Sequence, residues 1–372
     1  MRPKSGLPKR KAIRSMPIYE GGLKDHCNLD TKADGRYTVI SLFSGCGGLD
    51  LGFLGGFQYL DHTYSALPFE ILEAHDFNQK AIETYRLNIG DRAHVTDLTK
   101  INLRDLPEAE VLIGGFPCQD FSSSGTKQGL SGSRGQLYKV MSSYMRLHKP
   151  KIVIAENVPH LSRLAKGEYL KTILKEFEEA GYNFNIWDLY APDYGISQSR
   201  RRLIFFGLRK DFGEPLDPPV PTHEKAHRPI DYALHNLVNI TDESVTNQSQ
   251  YFVATRATSG GGQGDHTNER GKVAYCIRAN AKARIQFHYE LDRRLTVREC
   301  ARLQTFPDKF VFPFSAMINM EQIGNAVPPV LAHFVAKRVK EALDQIALTG
   351  RVAMTDQQDG SQIELFPRQK YA

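Results

Sequence analysis

The sequence predicts an α/β chain. A doubly wound, mostly parallel sheet is followed by a smaller, irregular strand-and-loop domain, and the chain then returns to the first. Three observations predict it. Short β-branched and apolar runs alternate with helix-patterned stretches from Thr38 to Gly207, as in a sheet wrapped by helices. The first run opens through glycines straight into a helix start, the arrangement that brings backbone N–H groups up to a nucleotide-like ligand. Near Lys210 the composition turns Pro-, Gly-, His- and Asn-rich and stays so to about Asp292, with too little periodicity to continue the sheet.

Residues 1–35 carry Arg2, Lys4, Lys9, Arg10, Lys11 and Arg14 with little pattern. They read as a flexible arm, whether a solvated tail or a phosphate-contacting one. The strand Thr38 to Phe43 leads into Ser44-Gly45-Cys46-Gly47-Gly48. A second strand, Phe69 to His75, ends at Asp76-Phe77, which puts an acid where a ribose would be held. A helix with Ala81, Ile82 and Tyr85 on one face follows, then a short strand ending at Asp97-Leu98.

The apolar run Val111-Leu112-Ile113 opens into Gly114-Gly115-Phe116-Pro117-Cys118-Gln119. The glycines allow a sharp turn and a close approach to a ligand, and Pro117 fixes the chain direction just before the thiol. Cys118 is thereby presented where a buried strand meets a loop. The helix Gln136 to His148 is stopped by Pro150, and the strand Lys151 to Ala155 delivers Glu156, Asn157 and Val158 to the same sheet edge. Glu168 to Ala180 carries Leu170, Ile173, Leu174 and Phe177 at helical spacing and ends at Gly181, a covering helix with a glycine stop.

Gln198-Ser199-Arg200-Arg201-Arg202 then leads into the strand Leu203 to Gly207. Within the irregular region, Tyr251-Phe252-Val253 is a short β-like run. Thr296 and Glu299 form a capping-box pattern, with Cys300 and Leu303 on the core side of the helix they open. Gln322 to Pro329 is expected to open a long helix through Ile346, with a frayed tail from Thr349. The predicted organisation is an arm at 1–35, a catalytic and cofactor-binding domain at 36–209, a second domain at 210–292, a return at 293–348 and a tail at 349–372.

A chain of 372 residues with a formal net charge of +6 permits a polyanionic partner without demanding one. The five cysteines, Cys27, Cys46, Cys118, Cys276 and Cys300, are scattered and show no zinc spacing, which argues against a disulfide framework or a structural metal. No apolar run is long enough to span a membrane, and the basic N-terminus lacks the apolar core of a secretory signal. The expected compartment is the reducing cytoplasm.

Three reactive elements are thus expected at the carboxyl ends of strands in one sheet: a glycine cradle with acids for an adenosine-type cofactor, an exposed thiol, and Glu156. Arg200 and Arg202 follow at the same edge. A thiolate attacks soft electrophilic carbon, a nearby carboxyl can protonate or hydrogen-bond the ring under attack, and arginine can hold a ring carbonyl or a phosphate. Together these suit nucleophilic activation of a heterocycle.

The segments Phe43 to Gly48, Gly115 to Gln119, Glu156 to Val158, Gln198 to Arg202, Arg294 to Leu303 and Gln322 to Asn325 resemble, in order, the motifs of the cytosine-C5 DNA methyltransferases of bacterial modification systems. The likeness runs from about Thr38 to Ile346. It implies a Rossmann-like fold and S-adenosylmethionine as cofactor. Cys118 would add to C6 of a flipped-out cytosine in duplex DNA, Glu156 would engage N3 and the amine, Arg202 would contact O2, and Arg200 would support the base or its phosphate, with Asn157 beside them. It further implies that Phe43 and Phe77 flank the adenine, that Gly45 and Gly47 lie by the methionine part, and that Asp76 takes the ribose hydroxyls. The family more often has Glu at that ribose position. Asp97 would take the adenine amine, with Leu98, Pro117, Leu137, Asn325 and Val327 completing the pocket.

Phe121 to Gly135 resembles the family's mobile loop, which makes Ser122, Ser124, Lys127 and Arg134 candidate DNA contacts. Residues 210–292 correspond to the family's variable target-recognition domain. There Cys276-Ile277 stands where a Thr-aliphatic pair is usual, and Arg278 follows as a further DNA candidate. A monomer is implied, with a cognate restriction endonuclease acting on the same site but not stably bound, and a role in protecting host DNA. An RNA cytosine-C5 methyltransferase and a non-catalytic DNA-binding relative are the rival readings; a nicotinamide dehydrogenase is weaker, because the glycines are not spaced Gly-x-Gly-x-x-Gly.

Overall fold

The computed structural model describes residues 35–117, 137–238, 265–280 and 286–353. In chain order its elements are β1 (Tyr37–Leu42), α1 (Gly48–Leu54), β2 (Phe57–Tyr59), β3 (His62–Tyr64), β4 (Phe69–Asp76), α2 (Gln79–Asn88), β5 (Ala93–Val95), β6 (Val111–Gly114), α3 (Tyr138–His148) and β7 (Ile152–Asn157). There follow α4 (Glu168–Glu179), β8 (Tyr182–Tyr190), β9 (Arg201–Arg209), α5 (Ile230–Leu234), β10 (His266–Thr267), β11 (Gln286–Phe287), α6 (Val297–Leu303), α7 (Ala316–Asn325) and α8 (Pro329–Thr349).

Seven strands form one sheet in the order β5-β4-β1-β6-β7-β9-β8. From β5 to β7 neighbours are parallel, and β9 runs antiparallel between β7 and β8. The order reverses between β1 and β6, so the doubly wound prediction holds, with its switch point where ligand crevices form in open α/β sheets.

Both sheet faces are covered, which is why the central strands are continuous apolar runs rather than alternating ones. Val39, Val111, Ile113, Ile152, Ile154, Ile204 and Phe206 face one core, shared with α1, α2, α6 and α8. Ile40, Leu42, Leu112, Val153, Ala155, Leu203 and Phe205 face the other, with α3 and α4.

Several boundaries differ from the sequence expectation. β5 ends at Val95, two residues before Asp97; Thr96 N–H still bonds Asp76 O, and a turn from Asp97 to Lys100 follows. Gln322 to Asn325 is the last turn of α7, and α8 starts separately at Pro329. Ala326 is extended and ends α7. The hairpin β2–β3 and the edge strand β8 were not anticipated, and β9 follows β8 with only a short 3-10 turn between, so strand–helix alternation stops before β9. The capping box is present as expected: Thr296 accepts from Glu299 N–H, and Glu299 accepts from Thr296 N–H. Cys300 is buried. Residues 1–34 and 354–372, and the run Tyr251-Phe252-Val253, lie outside the described residues.

Of residues 210–292, the described part is mostly irregular. Its residues Leu216, Ile230, Ala233, Leu234 and Leu237 are buried in the same core as α8. Residues 265–280 and 286–292 add the two-residue parallel pair β10–β11.

Candidate active site

The turn after β6 is shaped by close contacts. A Cβ on Gly114 would stand 2.5 Å from Leu42 O of the neighbouring strand, and one on Gly115 would stand 3.0 Å from Glu156 Oε2. The first contact explains a glycine inside a buried strand; the second shows how near the Glu156 carboxylate lies to the chain three residues before Cys118. Phe116 anchors the turn, packing against Tyr138, Phe177 and Phe205. Asn157 Nδ2 donates to Phe116 O at 3.0 Å, so the end of β7 holds the turn that leads into Pro117. Cys118 itself, with Ser122, Ser124, Lys127 and Arg134, lies outside the described residues.

Glu156 and Arg202 come from adjacent antiparallel strands and are both 8% exposed. Arg202 Nε lies 2.5 Å from Glu156 Oε1. Among the described residues neither atom makes a directed hydrogen bond, so the contact is charge to charge rather than an aligned N–H···O bond. Arg202 Nη1 donates to Arg201 O at 2.7 Å. A carboxylate and a guanidinium thus stand together at the carboxyl end of β7, beside the Gly115 turn.

Arg200 is placed differently from the expectation that it supports a base or a phosphate. It is 1% exposed, and its Nη1 donates to Ile277 O at 2.9 Å while its Nη2 donates to Gly324 O and Ala326 O, each at 2.8 Å. Burial, foremost, lowers its pKa to about 10, which leaves it charged at neutral pH. The reason is topological: residues 276–277 and the α7–α8 junction converge on it from distant parts of the sequence.

Phe43 to Gly47, Asp76, Phe77, Asp97, Leu98 and Pro117 stand at or after the carboxyl ends of β1, β4, β5 and β6, which are neighbours in the sheet, whereas Leu137 precedes α3 and Asn325 and Val327 belong to the α7–α8 junction. Phe43 has φ 59, an uncommon conformation for an aromatic residue and one that clusters at ligand sites. Ser44 N–H donates to His75 O at 3.0 Å. Gly45 N–H donates to Asp76 Oδ2 at 2.9 Å and Asn78 N–H to Asp76 Oδ1 at 2.8 Å. Burial raises the Asp76 pKa against the lowering effect of those two bonds.

Gly47 has φ 88, and a Cβ there would overlap Ile89 Cδ1 at 2.2 Å. Among the described residues nothing lies within 4 Å of where a Gly45 Cβ would be. The Phe77 ring is 69% exposed. Asp97 accepts from Thr99 Oγ1 at 2.6 Å and pairs with Lys100 Nζ at 2.9 Å; Lys100 and then Thr99 lower its pKa to about 2. Leu98 is buried with Phe116, and Phe43 and Leu137 pack against the same cluster. Asn325 is exposed at the end of α7, while the Val327 carbonyl approaches the Gly48 backbone.

Some contributors were missed by the sequence reading. Asn78 caps α2, accepting from Lys80 and Ala81 N–H, a signal available from Asn directly ahead of the helical pattern. His75 is buried, with Nδ1 3.0 Å from Thr96 Oγ1 and Nε2 3.0 Å from Glu73 Oε2. It holds the chain on the approach to Asp97. Only the β4–β5 pairing reveals it.

The pattern of the C-5 cytosine-specific DNA methylases matches residues 37–341. The chain belongs to this family. The type II methyltransferase M.FnuDI of Fusobacterium nucleatum is 33% identical to this DNA cytosine-5 methyltransferase over 337 residues, 82% of this chain and 94% of that protein. The type II methyltransferase M.NgoFVII of Neisseria gonorrhoeae is 34% identical over 338 residues, covering 82% and 87% respectively. Among solved structures, a DNA modification methyltransferase encoded within an E. coli prophage superposes with a TM-score of 0.65 at 22% identity, covering 83% of this chain and 99% of that one. The Entamoeba histolytica methyltransferase EhMeth gives 0.62 at 17% identity, covering 83% and 99%. At these identities the structural likeness speaks for the fold, which is the Rossmann-like α/β fold predicted for this methyltransferase.

Proposed function

We propose that this methyltransferase modifies C5 of cytosine within a short sequence of double-stranded DNA, through a covalent bond from Cys118 to C6. The observation that carries the reading is the buried Glu156–Arg202 pair at 2.5 Å beside the turn that delivers Cys118. A cytosine extruded from the duplex, as reaction at a stacked base requires, would meet acidic and basic groups placed for its N3/amine edge and its O2.

In this reading the Cys118 thiolate adds to C6 and pushes electron density to C5, with Glu156 hydrogen-bonding N3 and the amine and Arg202 the O2. Loss of the C5 proton after methylation then lets the Cys118–C6 bond break and returns the thiolate. Asn157 keeps the β6 turn in place. The residues present fit S-adenosylmethionine, which supplies the activated methyl group when bound. The exposed Phe77, Phe43 and the Asp76 carboxylate suit an adenosine, and the space at Gly45, open among the described residues, suits its methionine part. Gly47, Asp97, Leu98, Pro117, Leu137, Asn325 and Val327 line the remainder.

For DNA, Ser122, Ser124, Lys127 and Arg134 are proposed as backbone or groove contacts and the exposed Arg278 as a contact from the target-recognition region 210–292. Protection of host DNA against a cognate restriction endonuclease, action as a monomer and a cytoplasmic location complete the reading. It is tested by transfer of labelled methyl from S-adenosylmethionine to unmethylated duplex DNA, with transfer RNA in parallel and bisulfite sequencing of the DNA product. Label at one short DNA motif is expected; label only in RNA overturns it. Duplex DNA with 5-fluorocytosine at the target should trap a protein–DNA adduct, because no C5 proton can leave. Cys118→Ala should form none while still binding cofactor.

A further inference from the structure

A short run of the irregular region is clamped between the loop ahead of β9 and the α7–α8 junction. Ser199 N–H donates to Ala274 O at 2.7 Å, and Ala274 N–H to Ser197 O at 3.1 Å. Ile277 N–H donates to Gln198 Oε1 at 2.8 Å. Gln198 Nε2 reaches Leu303 O at 3.0 Å and Gln304 Oε1 at 2.7 Å, and Gln304 Nε2 reaches Ala326 O at 2.5 Å. Gln198 and Gln304 are fully buried. A Cβ on Gly324 would stand 2.2 Å from Ala279 N and 2.3 Å from Arg278 C, so two backbones are in direct contact there. Across this junction Arg200 holds Ile277 O with one nitrogen and Gly324 O and Ala326 O with the other.

We propose that Arg200 is a positioning residue that couples the segment 276–280 to the junction 324–327, so that occupation of the DNA side and of the cofactor side favour one another. The proposal rests on the reading above, in which Arg278 faces DNA and Asn325 and Val327 face the cofactor. A guanidinium is a rigid planar fork. When one set of carbonyls shifts, the fork shifts with it and displaces the other set. A lysine ammonium is a point donor on a flexible stem, and it keeps the charge without tying the two segments in one plane. Gln198 and Gln304 brace the same segments, which makes the junction one connected polar network. Coupling of this kind is reciprocal between the two ligands.

The test measures the dissociation constant of S-adenosylhomocysteine for the full chain, alone and with a duplex carrying the site mapped by bisulfite sequencing. Wild-type protein is expected to bind it at least about fivefold more tightly with the duplex, within the range usual for coupled sites. In Arg200→Lys that ratio should fall to within about twofold of one, while each ligand alone binds within a few-fold of wild type. Hydrogen exchange should show duplex-induced protection at 324–327 in wild type and not in the variant. A wild-type ratio of one, or an undiminished ratio in Arg200→Lys, overturns the proposal. Where Arg200→Lys does not fold, Gln304→Met, which removes one brace of the same network, should lower the ratio, and an unchanged ratio overturns the proposal that this network carries the coupling. Methyl transfer to DNA without coupling sinks this proposal alone; absence of DNA binding and of transfer removes the functional reading and this proposal with it.

Discussion

Two positions apart at the start of β9, Arg200 and Arg202 face different surroundings. Arg202 is directed at the Glu156 carboxylate, whereas both Nη atoms of Arg200 are held by backbone carbonyls. The antiparallel pairing of β7 with β9 sets Glu156 opposite Ile204, which brings a carboxylate within reach of the guanidinium two residues away. Glu156→Gln keeps the shape and removes the charge. Its kcat for methyl transfer is expected to fall by about 10²–10⁴, the usual contribution of a positioned acid–base group, with cofactor affinity changed little. Single-turnover methylation and cofactor titration separate the two, and unimpaired turnover would remove Glu156 from the chemistry.

At the scale of elements, α1 and α8 meet through small residues. A Cβ on Gly52 would lie 2.3 Å from Ala332 Cβ and 2.7 Å from Pro329 O, and the second contact is backbone that cannot swing aside. Gly52→Ala should therefore force the helices apart and destabilise by about 1–3 kcal/mol, the usual cost of overpacking, seen as a lower urea midpoint. A gain in stability, as helix propensity alone would give, would contradict this packing. For α6, Thr296→Ala removes half of a buried capping box and should cost about 1 kcal/mol. Thermal unfolding of the variant checks it, and an unchanged melting temperature would mean another group takes over the Glu299 N–H.

At the scale of the molecule, stability has an acid-sensitive contribution from the α1–α8 interface. His333 is 1% exposed with Nδ1 3.1 Å from Gly52 O, and burial, foremost, pushes its pKa down to about 4. The unfolded chain takes up that proton near pH 6.5, so the contribution is intact above about 6.5 and is lost as pH falls toward 4. The loss is on the order of 3 kcal/mol. Asp50, whose pKa burial raises to about 6, acts in the opposite sense: its folded form gains stability as pH falls through that value. Comparing wild type with His333→Gln isolates the histidine. The variant should have the flatter fall in urea midpoint between pH 7 and 5, and parallel profiles would exclude His333 as the source.

The burial of Leu216, Ile230, Ala233, Leu234 and Leu237 with α8 bears on specificity exchange as well. Replacing residues 239–292 by those of a relative with another target should move the methylated site with little loss of stability. Replacing 210–292 should move it and also lower the melting temperature, since core side chains leave with it. An active 239–292 chimera with the original site would show that recognition lies elsewhere.

The sequence by itself determined the fold class, the switch-point strands, the family and the motifs from which the candidate site is proposed. Those features are local: apolar runs long enough for buried strands, glycines where backbones must approach, a Thr296–Glu299 cap, and ordered short motifs carrying Cys118, Glu156 and Arg202. Only the tertiary structure decided which polar residues stand beside the Gly115 turn and which are held among backbone carbonyls. Arg200 and Arg202 look alike in sequence, and they part only because Ile277, Gly324 and Ala326 arrive from as many as 126 positions away to surround the first. The same holds for His75, defined by a neighbouring strand, and for residues 216–237, whose loop-like composition conceals a buried face. Burial and hydrogen-bond partners belong to the packed molecule, and no local pattern encodes a partner that far along the chain.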